Sequence, residues 1–223
     1  MEKKQIIVSD ELRSRCPQFK GGAVYATFRN TAHSDQLWMR IDAYVARLRE
    51  MHTVDDIKEI AGIKATREAY KACGKDPSRY RPSNEQLIRR TLQGKELYSV
   101  DTAVDLINLC SMTYAYSIGG FDYDKIQGRC ITLGVGHANE PYEGIGRGPL
   151  NIEGMPVYRD EIGGFGTPTS DHERTKMGLR TTHLLALVNG YDGNRENVRG
   201  CCEMIRSLLE DYLGGRDIEI EEF

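Results

Sequence analysis

The chain contains no run approaching the roughly 20 apolar residues of a membrane span, and neither sign of charge dominates it. Lysine and arginine number 30 and aspartate and glutamate 33, a formal net charge of −3, so the molecule as a whole is not a general polyanion binder. Its six cysteines, at positions 16, 73, 110, 130, 201 and 202, include no Cys-x-x-Cys pair, which argues against a zinc ribbon and a thioredoxin-type motif. Generic catalytic signatures are also missing, with no Gly-x-Ser-x-Gly elbow and no His-Glu-x-x-His. Gly144-Ile-Gly-Arg-Gly148 fits neither Rossmann nor P-loop spacing and reads as a turn between strands. His137, His172 and His183 are too scattered to form a metal motif. The expectation is therefore no metal and no cofactor. Repeats and low-complexity linkers are absent too.

What is present is ordinary for a globular chain: 223 residues, 39% hydrophobic and 28% charged. That length buries a core without disulfide or metal staples. Met1-Glu2-Lys3-Lys4 leads into only a short apolar run, unlike a signal peptide. Together with cysteines that fall on apolar helix faces, this points to reduced thiols and a cytoplasmic location. The charges are unevenly placed. From Lys64 to Lys95, nine basic residues face three acidic ones, whereas from Glu203 to Phe223 seven acids face two arginines. Such asymmetry marks either a nucleic-acid face or ordinary solvated helix surfaces.

Periodicity predicts strands at Gln5–Val8 and around Val24, Ala26 and Phe28, then a helix capped by Ser34 with Leu37, Ile41, Val45 and Leu48 inward. A short helix is expected from Thr53, with Asp55 and Asp56 suiting its dipole, and another over 63–73 stopped by Gly74. Ser83 and Gln86 read as a capping box. A longer helix follows from about Ser99, with Val100, Val104, Ile107, Ser111 and Tyr114 on one stripe. Beyond residue 119, glycine-rich sequence alternates with short strands at 131–135, 156–159 and 183–188, the last apolar enough to be buried on both faces. Asn194 opens a final helix that Gly214-Gly215 ends, and the tail reads as an edge strand or as disordered. Helices early and strands late predict an α+β fold. The expected organisation is an N-terminal part, residues 1–60, packed on a core of residues 61–223 as one compact unit.

Three segments carry more. They are Arg79-Tyr-Arg-Pro-Ser-Asn-Glu-Gln-Leu-Ile-Arg-Arg-Thr-Leu-Gln-Gly94, Val104-Asp-Leu-Ile-Asn-Leu-Cys-Ser111 and Gly119-Gly-Phe-Asp-Tyr-Asp-Lys-Ile126. In this order and spacing, the chain from about Ala61 to Gly190 resembles the B3/B4 domain of the phenylalanyl-tRNA synthetase β subunit. It is still more similar to the solo proteins made of that domain alone. The resemblance implies a three-layer β/β/α sandwich with a pocket between helix and sheet. In the synthetase that pocket hydrolyses the ester of tRNA wrongly charged with tyrosine.

By that resemblance Asn108 matches a pocket asparagine, Ile107 replaces a neighbouring threonine, and Gly119 stands where many synthetases carry a histidine. The synthetase's acidic reader of the tyrosine hydroxyl has no counterpart in Gly163–Thr169. A pocket is expected from Asn108, Ser111, Gly119, Gly120, Asp122, Asp160 and Thr175. Asp171, at the end of a glycine-rich loop, is the candidate acid. Structural readings stand beside these: Asn108 or Asp160 as a cap, Ser111 bonded to its own helix, Asp122 holding a turn. Arg81, Arg89 and Arg90, with Lys64, Arg67 and Lys71 on the preceding helix, are the candidate RNA contacts.

The leading expectation is a protein that binds aminoacylated tRNA and hydrolyses mischarged tRNA in trans, sustaining translation fidelity, with no DNA or membrane partner. A near-isosteric amino acid cannot be strongly excluded by an apolar site, so a second, hydrolysing site restores fidelity. An ester needs only a positioned water and dipoles for its oxyanion. The alternatives are a non-catalytic module binding RNA or an amino acid, and a hydrolase of small amino-acid esters or amides.

Overall fold

Two strands of continuous apolar sequence set the architecture. A computed structural model describes residues 3–223. The elements run β1 (Gln5–Val8), α1 (Asp10–Arg15), β2 (Lys20–Thr27), α2 (Asp35–Met51), α3 (Ala61–Cys73), α4 (Ser83–Leu92), α5 (Thr102–Tyr114), β3 (Ser117–Asp122) and β4 (Cys130–Val135). There follow β5 (Glu143–Gly144), β6 (Gly148–Pro149), β7 (Pro156–Arg159), β8 (Gly164–Gly166), β9 (His183–Gly190), α6 (Arg195–Leu213) and β10 (Arg216–Glu222).

One four-stranded sheet has the order β10-β2-β9-β3 and another β1-β4-β7-β8, while β5 and β6 form a separate hairpin. Strands β2 and β9 lie in the middle of the first sheet and pair antiparallel along their whole length, Lys20 to Gly190 through Thr27 to His183. Their side chains alternate between two cores, because successive residues of a strand face opposite ways. Val24, Ala26, Leu184, Ala186 and Val188 meet α2, α5 and α6. Ala23, Tyr25, Leu185 and Leu187 meet Ile131, Leu133 and Tyr158 of the second sheet. Each fully buried leucine contributes roughly 1.5–3 kcal/mol, so β9 anchors both layers. The result is the α+β, β/β/α sandwich that the resemblance implies. Strand β2, from the first 60 residues, is central to it.

Several local expectations hold. Ser34 and Asn194 cap α2 and α6, accepting from Leu37 N and Asn197 N. Gly74 and Gly214 end α3 and α6 in the left-handed conformation. The tail is an edge strand, β10, on β2. Others need correction. The Ser83–Gln86 capping box does not form: Pro82 is the cap residue, the Ser83 backbone N–H donates to Pro168 O at 2.8 Å, and the Gln86 side-chain Nε2 donates to Arg81 O at 2.6 Å. The short helix expected from Thr53 is a single 3-10 turn that starts at Asp56, whose carboxylate accepts from the Thr53 amide and hydroxyl. Helix α5 starts at Thr102 because Asp101 accepts from Val104 N, and Val100 is 56% exposed instead of on the buried stripe. Strand β3 was hidden by its two glycines, which carry no side-chain pattern.

Candidate functional site

A large cavity, about 470 Å³, opens between α2, α4, α5 and the 95–100 loop. Residues 104, 108 and 112 are four apart on α5, which puts Val104, Asn108 and Met112 on one face toward the cavity. Ile41 of α2 and Leu87 of α4 complete an apolar floor. Five basic residues, Arg81, Arg89, Arg90, Lys95 and Arg147, line it against one acid, Asp105.

The polar groups of this cavity differ in how free they are. Asp105 is buried and fully engaged: Oδ2 accepts from Trp38 Nε1 (2.8 Å) and Ser99 Oγ (2.6 Å), and Oδ1 from Val100 N (3.0 Å). Its work is to hold the 99–100 loop and the single tryptophan against α5. Thr169 is likewise engaged, by the Tyr70 hydroxyl (2.7 Å) and Tyr80 O (3.1 Å). Arg90 Nε donates to Glu96 O (2.6 Å) and its guanidinium lies 5.1 Å from the Tyr98 ring centre. Arg147 reaches from the β5–β6 hairpin to Gln86 (2.7 Å) and closes one side. The amide of Asn108 is half-buried in the wall and takes part in no hydrogen bond among the described residues. It offers a free donor and a free acceptor to whatever occupies the cavity.

The other expected pocket residues lie elsewhere. Gly119, Gly120 and Asp171 meet on the sheet side of the fold, where the Gly120 amide donates to Asp171 Oδ2 at 3.2 Å. Asp171 is hemmed in by protein although part of its surface stays accessible, and burial pushes its carboxyl up to about 8 against one lowering hydrogen bond from Gly120. It does not line the large cavity. The space above Gly119 is taken by the Phe121 ring, and a Cβ there would come within 2.6 Å of Phe121 Cε2.

Ser111 is turned into the core and donates to Tyr116 O at 2.6 Å, beyond the end of α5, so its role is structural but its bond is not to the preceding turn of its own helix. Asp122 accepts from Thr181 Oγ1 (2.9 Å) and pairs with Lys125 (3.1 Å), fixing a turn. Asp160 is clamped by Arg174, with contacts of 2.9 and 3.0 Å, and by the amides of Gln127, Ile162 and Gly163. Burial alone would raise its pKa, but the Arg174 and amide hydrogen bonds hold it below the usual range. Thr175 is buried against the carbonyls of Phe165 and His172. Within the large cavity the fold therefore gathers Asn108 with Arg81, Arg89 and Arg90, and leaves Asp171, Ser111, Gly119, Gly120, Asp122, Asp160 and Thr175 outside it.

Of the α3 cations, Lys64 pairs with Glu59 at 3.1 Å and Lys71 is exposed. Arg67 donates to Glu85 at 2.9 Å. Trp38 and Asp105, which shape the cavity mouth, and Glu85, which sits under its basic wall, were not singled out from sequence. The Arg81-x-x-x-Glu85-x-x-x-Arg89 spacing was the available signal for Glu85, since residues four apart on a helix are neighbours.

No described helix is long and apolar enough to cross a membrane. No curated protein matches the chain. The B3/4 domain family model matches residues 65–206, from within α3 into α6, and so takes in strands β3, β4 and β7–β9, the α4 and α5 walls of the cavity and the Asp171 loop, while β1, β2, β10 and α2 lie outside it. That match, on a β/β/α fold with its cavity beside the Asn108 helix, shows that the chain belongs to the B3/4 domain family.

Proposed function

We propose that this protein binds the aminoacylated 3′ end of tRNA and hydrolyses mischarged esters in trans, with the large cavity as the site. The observation that carries this reading is the free Asn108 amide in a cavity with an apolar floor and a basic wall. Its volume falls in the range of small-ligand pockets. An apolar or aromatic amino-acid side chain suits the floor of Ile41, Leu87 and Met112. The terminal nucleoside suits the mouth, which the aromatic rings of Trp38 and Tyr98 line. Arg81, Arg90, Lys95 and Arg147 suit the phosphates.

Hydrolysis then runs as water addition to the ester carbonyl carbon. The Asn108 NH₂ donates to the carbonyl oxygen as negative charge gathers there, a role worth about 10²–10³ in rate for single donors of this kind. The bond to the ribose oxygen breaks, that oxygen takes a proton, and free amino acid leaves the RNA terminus. With Asp105 fully engaged and Asp171 outside the cavity, the base is a hydroxyl of the tRNA terminus or solvent. A cytoplasmic setting fits six unpaired thiols.

The same engagement of Asp105 favours a second reading, a module that binds the aminoacyl end and does no chemistry. The two separate in one experiment. Trp38 is the only tryptophan and lines the cavity, so its fluorescence reports occupancy while scintillation counting reports ester cleavage. Quenching with cleavage supports editing. Quenching with an intact ester across a panel of aminoacyl-tRNAs supports the binding module, and no quenching removes both.

A further inference from the structure

A second concavity, about 320 Å³, lies behind the basic wall of the first, between the 3-10 turn at Asp56–Glu59, α3 and α4. Glu85 forms its floor with a fully buried side chain. Its Oε2 accepts from Arg67 Nη1 at 2.9 Å, and its Oε1 accepts from Arg89 Nη2 at 3.2 Å and lies 3.4 Å from Arg81 Nε. Three guanidinium groups thus converge on one carboxylate. Lys58 lines the same space, exposed and without a partner among the described residues, as do Ser78 and, at the rim, Asp55. Four cations face two carboxylates, so a net charge of +2 remains in a small cavity.

The donor inventory is also incomplete. The Nε atoms of Arg81 and Arg89 are shut off from solvent, and neither has a hydrogen-bond acceptor among the described residues. A buried unsatisfied donor of a charged group is costly, and two of them flank one cavity. Arg67 also donates to Pro77 O (3.3 Å) and Ser78 Oγ (3.1 Å), but Glu85 is the one carboxylate that Arg81 and Arg89 share with it, and it cannot satisfy guanidinium forks that carry five N–H donors each.

We propose that this cavity is a binding site for a phosphate group, with Glu85 as the organiser of Arg67, Arg81 and Arg89 and with Lys58 closing over the ligand. The buried carboxylate holds the three side chains in a fixed fan, which lowers the ordering cost that flexible arginines would otherwise incur on binding. Phosphate matches the guanidinium fork and takes paired N–H···O bonds. Arg81 and Arg89 also line the large cavity, so a phosphate held here sits directly across that wall. The phosphate source is either an RNA phosphodiester next to the terminal nucleoside or a free phosphate. Only the RNA source rests on the tRNA reading above.

The test is titration calorimetry of the full-length protein with inorganic phosphate, at constant ionic strength maintained with chloride. Saturable one-to-one binding is expected. Lys58→Ala, an exposed position that carries little folding risk, is expected to weaken it about fivefold, and Arg81→Ala about tenfold or more, the scale of one charge-assisted hydrogen bond. A deacylated tRNA acceptor-stem RNA is then added as competitor. Competition assigns the site to an RNA phosphodiester, whereas phosphate binding without competition assigns it to a free phosphate, and either outcome supports the site. No phosphate binding above chloride, or binding unchanged in both variants, overturns it. Because the phosphate measurement involves neither RNA nor ester, it stands or falls separately from the editing activity.

Discussion

Gly119→Ala puts a methyl group where Phe121 already lies. The added Cβ would come within 2.6 Å of Phe121 Cε2, and the ring has no free side to move to. It is fully buried, Phe165 meets it edge-on at 4.9 Å, and a Cβ on Gly166 would also lie 2.6 Å from it. Comfortable carbon contacts start near 3.5 Å, so the ring must shift by about 1 Å. Overpacking of this kind costs about 1–3 kcal/mol. The loss of glycine freedom in the unfolded chain offsets about 0.4–1 kcal/mol of it, and the backbone at 119 has an ordinary φ that alanine tolerates. The expected net loss is about 1–2 kcal/mol, read as a lower urea midpoint at unchanged slope. Phe121→Leu makes room, so the double mutant is expected to be more stable than the sum of the singles by about 1 kcal/mol. Gly119→His is expected to be worse than alanine and to create no new activity. If Gly119→Ala is as stable as the parent, or the two changes are simply additive, the ring does not fill that space and a histidine site there is open.

Asp171 carries a pH signature. Its carboxyl is raised to about 8 in the fold from a value near 4 in the unfolded chain. Between those values the unfolded state has already lost the proton that the folded state keeps, so this group's contribution is full below about pH 4 and falls as pH rises through about 8. Asp171→Asn keeps an acceptor for the Gly120 amide and is expected to flatten the decline and to gain stability over the parent at pH 8–9, measured by urea unfolding across a pH series. Trp38→Phe removes the hydrogen bond to the buried Asp105 and is expected to cost about 1–3 kcal/mol, followed by circular dichroism because the fluorophore is gone. A loss below about 0.5 kcal/mol would mean that Asp105 does not depend on it.

The layers were readable in sequence where burial leaves a pattern. Strand β9 shows as an unbroken apolar run because both of its faces are covered, and α2 and α6 show through Ser34 and Asn194 because a cap needs one side-chain oxygen at one position. Strand β3 did not show, because Gly119 and Gly120 are there to make room for Phe121 and Met177 rather than to display a period. The Ser83–Gln86 box failed since tertiary contacts claimed both residues, Ser83 by Pro168 and Gln86 by Arg81 and Arg147. The site was half legible. Asn108 was identified through the family resemblance, and the basic stretch through its charge. Whether a polar residue is free or engaged depends on partners that only the fold assigns: Ser111, Asp160 and Thr175 are all engaged, and Asp105 and Glu85 prove to be buried beside the two cavities.

The most direct test is deacylation of a panel of aminoacylated tRNAs by the purified protein, beside Asn108→Ala. The Asn108 side chain makes no hydrogen bond among the described residues, and its removal is expected to leave the unfolding free energy within about 0.5 kcal/mol of the parent. Release of one or a few amino acids, slowed about 10²-fold or more by Asn108→Ala, is the expected result. Release that is indifferent to Asn108→Ala, or no release from any member of the panel with protein in excess, contradicts hydrolysis in this cavity.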